Sequence, residues 1–313
     1  MTFVLPLFYL GRVLLKVLKG LGHGRPFRIN GTPIVSKVSN SSEWSTCDVK
    51  TCSDLDHESR RALEAVWLDN ASKEHASVPA FSKLSLQLIA LAAPPELIAK
   101  VFTAAGREIT HAKLCFSIAA SVSGKPWCPA EMPQILRGNN KFDSLESLIL
   151  ECFVDGCLME ALSAAHAQAS ARLAEEADVK SVFSVIAEDE KFHAELSWAI
   201  LEFLLTKVSS AKQERLFSEF RLMKSHTVPE FYPAHINQLI EKADSECMRR
   251  FGILRKDDVD NLWEQTLQDI EYRLNSIGYS DGNTIAAGSC HITLQGSDGV
   301  PDLFGNQPSA LGI

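Results

Sequence analysis

The stretches that decide the fold read EITH at residues 108–111 and EKFH at residues 190–193. Each places a glutamate three positions before a histidine, and side chains at that spacing lie on one face of an α-helix. The other positions on both faces are mostly apolar, so the two polar side chains are directed into a core where isolated charges are costly. Both stretches therefore predict buried carboxylate and imidazole groups.

A helix with one glutamate on its apolar face precedes each stretch. Glu74 lies on the apolar face of the first predicted helix, and Glu160 lies on that of the third. In both cases the next Glu-x-x-His stretch follows after about one helix and one turn, so antiparallel neighbours would face each other at the same level. The predicted cluster consists of Glu74, Glu108, His111, Glu160, Glu190 and His193.

Two divalent cations would make such a cluster stable. Four buried carboxylates without partners are prohibitive, whereas two divalent cations supply four positive charges and two neutral imidazoles complete the ligand set. Mixed carboxylate and imidazole ligands suit iron or manganese, while zinc more often takes histidine and cysteine. One glutamate from each of two helices and a Glu-x-x-His pair from each of the other two is the di-iron or di-manganese carboxylate arrangement.

The chain around this cluster is expected to be all-α. Prolines, glycines and capping residues divide it into helices. Pro79, inside the first helix, is expected to kink it or to accompany a π-bulge. Asn30-Gly31 predicts a tight turn in a small hairpin before the helices. The predicted segments are a hairpin at 25–38, a loop at 39–58 and helices at 59–93, 95–122, 144–175, 178–206, 210–224, 229–252 and 256–277.

Several stretches resemble those of a known group. EHASVPAFSKL, EITHAKLCF, DGCLMEALSA and EDEKFHAELSW, with RPFRINGTP before them, are similar to bacterial members of the ferritin-like di-iron carboxylate superfamily, over about residues 60–206. The resemblance implies an antiparallel four-helix bundle that holds two iron ions, or iron and manganese, through the six residues of the cluster. From this resemblance together with the sequence patterns outside this range, we expect an amphipathic segment, hairpin and loop at 1–58, the bundle at 59–206, a helical extension at 207–277 and a flexible tail at 278–313.

The residues next to the ligands carry a further expectation. In related proteins an aspartate at the position of Asp189 donates no ligand atom but hydrogen-bonds a ligand histidine and fixes its tautomer. Arg107 stands at the equivalent place before Glu108, where relatives often carry an acid. Because of this departure, the sequence does not predict that both histidines have an equivalent carboxylate partner. Arg107 is expected to pair with Asp189 or Glu188, or to lie on the solvated surface.

Composition narrows the function classes. The net charge of −8, from 39 acidic and 31 basic residues, gives no electrostatic footprint for nucleic acid. The eight cysteines include no Cys-x-x-Cys pair, which favours free thiols in the cytoplasm, although Cys47 and Cys52 could pair. Residues 1–21 predict a basic amphipathic helix that packs on the bundle or contacts a membrane surface, and the apolar run at 1–10 is too short to span a bilayer.

Three functions fit a di-iron site. The first is an oxygenase or oxidase that uses dioxygen and an electron donor to oxidise a small organic substrate. The second is a ferroxidase or iron-storage protein, in which iron is the substrate. The third, a quinol oxidase at a membrane surface, depends on residues 1–21 alone. The residues appended to the bundle favour the enzyme, because a storage subunit needs little beyond the bundle, and they predict a monomer or homodimer.

Overall fold

The computed structural model describes residues 24–51, 54–137, 144–226 and 231–278, and this part of the chain is predominantly α-helical. The predicted amphipathic helix at 1–21 and the predicted tail beyond residue 278 lie outside the described residues. The helical segments are α1 (His57–Ala90), α2 (Pro95–Ser123), α3 (Pro133–Arg137), α4 (Leu145–Glu151), the π-helix π1 (Cys152–Glu160), α5 (Ala161–Leu173), α6 (Ala177–Leu205), α7 (Ser210–His226), α8 (Ala234–Lys242), α9 (Ser245–Arg250) and α10 (Lys256–Gly278).

Local capping sets the ends of the two longest early helices. The carboxylate of Asp56 accepts hydrogen bonds from the backbone N–H groups of Glu58 and Ser59, both at 2.9 Å, which starts α1. Pro95 occupies the first turn of α2, where its missing N–H costs no hydrogen bond. Gly124 ends α2 with a φ of +70°, the left-handed conformation that glycine adopts without steric cost.

The third long helix contains a π-helix that the sequence did not predict. The chain runs from α4 through π1 into α5 without a break, and all nine residues of π1 are buried. α1, in contrast, is α-helical on both sides of Pro79, so the π-bulge expected there is found in the third helix instead. A π segment widens the helix and occurs frequently at functional sites. Its last residue is Glu160.

The long helices pack around one apolar core. α1 packs along α2, α6 packs along π1 and α5, and α2 contacts α6 across the core. The short connections between α1 and α2 and between α5 and α6 make each of these pairs antiparallel neighbours. Large side chains such as Trp67, Phe81, Phe116 and Phe153 fill the interior without solvent exposure. The polar cluster lies within this interior, so its charges have little access to water.

Two short β-ribbons lie beside the helices. β1 (Arg28–Ile29) pairs with β2 (Thr32–Pro33) across Asn30-Gly31, which has the two positive φ angles of a tight hairpin turn. The expected hairpin is therefore present. A second ribbon, β3 (Val38–Ser39) with β4 (Cys128–Pro129), joins the segment before α1 to the segment after α2.

The helices after residue 207 cover part of the long helices. α8 packs on α1, and α10 packs on α5 and π1. The single helix predicted at 229–252 is wrong, because the backbone is extended at Ala243 and the carboxylate of Asp244 caps a new helix by accepting from the N–H of Cys247 at 2.7 Å. Among the described helices, none has the length and apolar character needed to cross a membrane.

Candidate metal centre

Four long helical segments each contribute to one buried polar cluster. α1 carries Glu74, π1 ends in Glu160, α2 carries Glu108 with His111, and α6 carries Glu190 with His193. Exposure ranges from 0% for Glu160 and both histidines to 8% for Glu74. All six residues predicted from helical phase are therefore brought together in the structure. Their donor atoms form two groups, within each of which the atoms lie no more than 4.8 Å apart.

Group A comprises Glu74, Glu108, His111 and Glu190. The Nδ1 atom of His111 is the common neighbour of its three carboxylates. It lies 3.4 Å from Oε2 of Glu74, 3.7 Å from Oε2 of Glu108 and 3.5 Å from Oε1 of Glu190. Three carboxylates and one imidazole nitrogen thus face one point, which is a ligand set suited to iron or manganese.

Group B comprises Glu160, Glu190 and His193. Nδ1 of His193 lies 3.5 Å from Oε1 of Glu190 and 3.1 Å from Oε1 of Glu108. Glu190 belongs to both groups, and the two oxygens of Glu108 face different histidines. These two carboxylates therefore lie between the groups, where a carboxylate can bridge two cations.

Several polar atoms of the cluster have no hydrogen-bond partner within the described part of the chain. They are Oε2 of Glu108, Nδ1 of His111, both oxygens of Glu160, Oε2 of Glu190, and both ring nitrogens of His193. Leaving a buried polar atom unsatisfied costs roughly 1–3 kcal/mol, and more for a charged group. Such a concentration of unsatisfied donors and acceptors fits a site whose partners are cations rather than protein groups.

Protons can neutralise the cluster when cations do not. Burial raises the pKa of Glu74 to about 8 and raises that of Glu160 well above its ordinary value. Burial opposes the charged imidazole of His193, but the contact with Glu108 outweighs it and raises the pKa to about 9. The pKa of His111 is also raised well above its ordinary value, because Asp189 and the carboxylates of group A stabilise the charged ring. Two neutral carboxyls, two carboxylates and two imidazolium groups then sum to zero charge.

The two histidines differ in the partner of Nε2, the ring nitrogen opposite the one that contacts the carboxylates. Nε2 of His111 lies 3.0 Å from Oδ2 of Asp189, so the neutral form of the ring keeps its proton on Nε2 and directs the Nδ1 lone pair towards group A. Nη1 of Arg107 lies 2.9 Å from Oδ1 of Asp189, and its guanidinium stacks on Phe192 at 4.4 Å from the ring centroid. Arg107 therefore pairs with Asp189, one of the alternatives expected from the sequence. Among the residues that the structure describes, none contacts Nε2 of His193 in this way.

No protein-family model, curated protein or solved structure matches this chain. The evidence for the candidate metal centre is therefore the geometry of its residues.

Arg25 is a member of the site that sequence reasoning missed. This residue precedes the hairpin and is only 5% exposed. Its Nε lies 3.9 Å from Oε1 of Glu160, its Nη2 donates to Oγ of Ser197 at 3.1 Å, and its guanidinium lies over the ring of Phe81. Gly156 in π1 leaves the space for it, because a Cβ there would lie 2.3 Å from Nη2. The RPFRINGTP stretch indicated that this segment resembles the ferritin-like group, but it did not predict the contact between Arg25 and Glu160.

A cavity of about 20 Å³ adjoins Glu74. Its walls include Asn70, Ser163, His166 and Phe231. His166 stacks on Phe231 with ring centroids 3.7 Å apart, and burial lowers the pKa of His166 to about 3, so the ring is neutral. The volume suits one water or a diatomic molecule. The segment after α7, which supplies Phe231, therefore closes the space beside group A.

Other titratable side chains close to the six residues in sequence lie away from the cluster. His75, next to Glu74 in sequence, points to Trp44 with ring centroids 5.1 Å apart and belongs to neither group. Glu195 pairs with Arg273 at 2.6 Å on the surface.

The described cysteines form no disulfide with one another. They are Cys47, Cys115, Cys128, Cys152, Cys157 and Cys247. Cys52, the suggested partner of Cys47, lies outside the described residues.

Proposed function

We propose that this protein is a ferritin-like four-helix-bundle enzyme that binds two iron ions, or one iron and one manganese, and uses dioxygen to oxidise a small organic substrate. The observation that carries the proposal is the convergence of four carboxylates and two imidazoles in one buried cluster with unsatisfied donor atoms. The order of α1, α2, the α4–π1–α5 helix and α6 supports the ferritin-like bundle, because each supplies the ligand that this arrangement requires.

The side chains of the chain have distinct roles in this proposal. Glu74, Glu108 and His111 would bind one cation, Glu160 and His193 would bind the other, and Glu190 would bind both. Asp189 orients the His111 ring through Nε2, so that Nδ1 faces group A and could bind a cation there. When bound in the reduced state, iron would supply electrons to dioxygen, and an external donor would supply those that the substrate does not provide. The apolar core around the cluster excludes bulk water.

The appended helices favour an enzyme over a storage protein. α8 covers part of α1 and α10 covers part of α5 and π1, so these surfaces are buried within the chain. A storage shell needs bundle surfaces that are free to pack against other subunits and an acidic inner wall where mineral forms. The neutral His166 and the apolar Phe231 line the small cavity beside group A instead. A monomer or homodimer agrees better with this arrangement.

A ferroxidase is the second candidate. The cavity beside Glu74 admits a diatomic molecule but not an organic substrate without movement of its walls. If Phe231 and its neighbours do not move, the only partners that reach group A are dioxygen and metal ions. Iron would then be the substrate as well as the bound metal.

Metal analysis and an iron-excess experiment test the proposal. The purified protein should contain about two iron, or iron and manganese, per chain. With ferrous iron and dioxygen in large excess, it should consume dioxygen only until its own sites are filled, and light scattering should give one or two copies of the 34.5 kDa chain. A single zinc ion without redox metal would refute the di-iron site. A large particle that accumulates ferric mineral would refute the enzyme and favour storage.

A further inference from the structure

Each group of the candidate metal centre has its own arginine, but the two arginines act differently. In group A, Arg107 does not contact a ligand. Its partner is Asp189, and Asp189 in turn contacts His111. The Arg107–Asp189 pair is neutral as a unit, so it orients the imidazole without adding positive charge beside the cation. The pair therefore fixes the His111 ring and adds no net charge beside group A.

In group B, Arg25 faces the ligand Glu160 directly. No separate carboxylate stands between them in the described part of the chain, and the ion-pair distance is 3.9 Å at nearly complete burial. Asp155 is also close, but Arg28 engages both of its oxygens, at 2.7 and 2.8 Å, and so balances its charge. The thiol of Cys152 also faces the guanidinium, and of the carboxylates close to Arg25 only Glu160 is a candidate ligand. The charge of Arg25 consequently acts on Glu160 and on whatever cation Glu160 binds.

Other contacts join Arg25 to the second ligand of group B. Ser197 accepts from Arg25 and donates to the backbone carbonyl of His193 at 2.8 Å. Phe81 lies beneath the guanidinium and also packs on the His193 ring, with centroids 5.1 Å apart. Arg25 therefore holds a fixed place relative to Glu160 and His193, and a buried guanidinium stays charged.

We propose that Arg25 is a positioning residue that acts through Glu160 and weakens group B for a divalent cation, so that group A fills first and group B second. This inference rests on the proposed binding of two cations. The reason is electrostatic. A buried positive charge beside Glu160 repels a divalent cation in group B more strongly than one in group A, where Asp189 compensates the nearest guanidinium.

A manganese titration of the full-length protein tests this order. The protein is freed of metal with a chelator, and free Mn²⁺ is followed by electron paramagnetic resonance at constant pH. The wild type should bind two cations with dissociation constants that differ by at least about tenfold. His193→Ala should keep the tighter step and lose the weaker one, whereas His111→Ala should lose the tighter step. The opposite assignment would overturn the proposal without any change at Arg25.

Substitutions of Arg25 test the cause. In Arg25→Met and in Arg25→Gln, the weaker step should tighten by about tenfold while the tighter step changes little. Arg25→Lys, which retains the charge, should behave like the wild type. Lys83→Met is the matched control, because Lys83 lies on the same side of the molecule but pairs with Glu151 at 3.9 Å instead of a ligand. It should leave both steps unchanged.

The outcomes separate this inference from the proposed function. Two binding steps of equal strength, or an unchanged weaker step in both neutral Arg25 variants, would refute the role of Arg25 and leave the two-metal site intact. Failure of the wild type to bind Mn²⁺, Co²⁺ or Fe²⁺ at all would refute the proposed function itself.

Discussion

Loading of the cluster with two divalent cations should release about four protons. Glu74 and His193, with pKa values raised to about 8 and about 9, should each hold a proton near neutral pH when no cation is bound. The upward pKa shifts of Glu160 and His111 favour the protonated forms of these two groups as well. Cation binding requires the deprotonated carboxylates and neutral imidazoles. The exchange conserves charge, because the four protons that leave carry the same charge as the two divalent cations that enter.

This exchange sets the pH dependence of binding. Below the pKa of Glu74, which is about 8, the combined association constant for two cations should rise steeply with pH, by up to about four decades per pH unit. The contribution of Glu74 to this slope should end above about pH 8, and that of His193 above about pH 9. Isothermal titration calorimetry with Mn²⁺ or Co²⁺ in buffers of different ionisation enthalpy counts the protons directly. Glu74→Gln, which carries no titratable proton, should release one fewer. Release of fewer than about two protons by the wild type at pH 7 would refute the proposed charge balance.

Three further predictions follow from the same geometry. Glu190→Ala should lose both cations while His193→Ala loses one, as elemental analysis would show, because Glu190 belongs to both groups. In the cation-free protein, the free energy of unfolding should fall as pH rises, by about 1.4 kcal/mol per pH unit for each extra proton that the folded state holds. Glu74 should contribute to this fall from its ordinary pKa of 4.5 up to about 8, and His193 from 6.5 up to about 9. A flat urea-denaturation profile would contradict this. Phe231→Ala should cost roughly 3 kcal/mol and widen the cavity without changing metal content, whereas the exposed Leu222→Ala should have little effect on stability.

Helical periodicity predicted the convergence of the cluster because the information is local. A glutamate and a histidine three positions apart must lie on one helical face, and an apolar stripe around them must be buried if the helix packs at all. Helix ends were predictable for the same reason. Pro95 begins α2 and Gly124 ends it through backbone preferences that act within a few residues.

The features that were missed depend on contacts between distant residues. The π-helix has no local signature, because every side chain in π1 is buried and the apolar pattern there cannot distinguish one helical repeat from another. Phe231 closes the cavity from a segment 157 residues after Glu74, by position in the chain. The break in the helix predicted at 229–252 shows a third limit, since the capping aspartate, Asp244, also suits a helical surface position.

Arg25 shows why the ligands of such a centre are easier to predict than its affinity. The candidate ligands can be predicted from helical periodicity, because acidic and imidazole groups must stand at particular positions on the buried face of each helix. The charge that those groups experience depends on which arginine reaches the interior and on whether a carboxylate separates it from the ligand. Asp189 separates Arg107 from His111, whereas Glu160 faces Arg25 directly. Two groups with similar ligands can therefore bind the same cation with different strength, and this difference arises from residues outside the ligand motif.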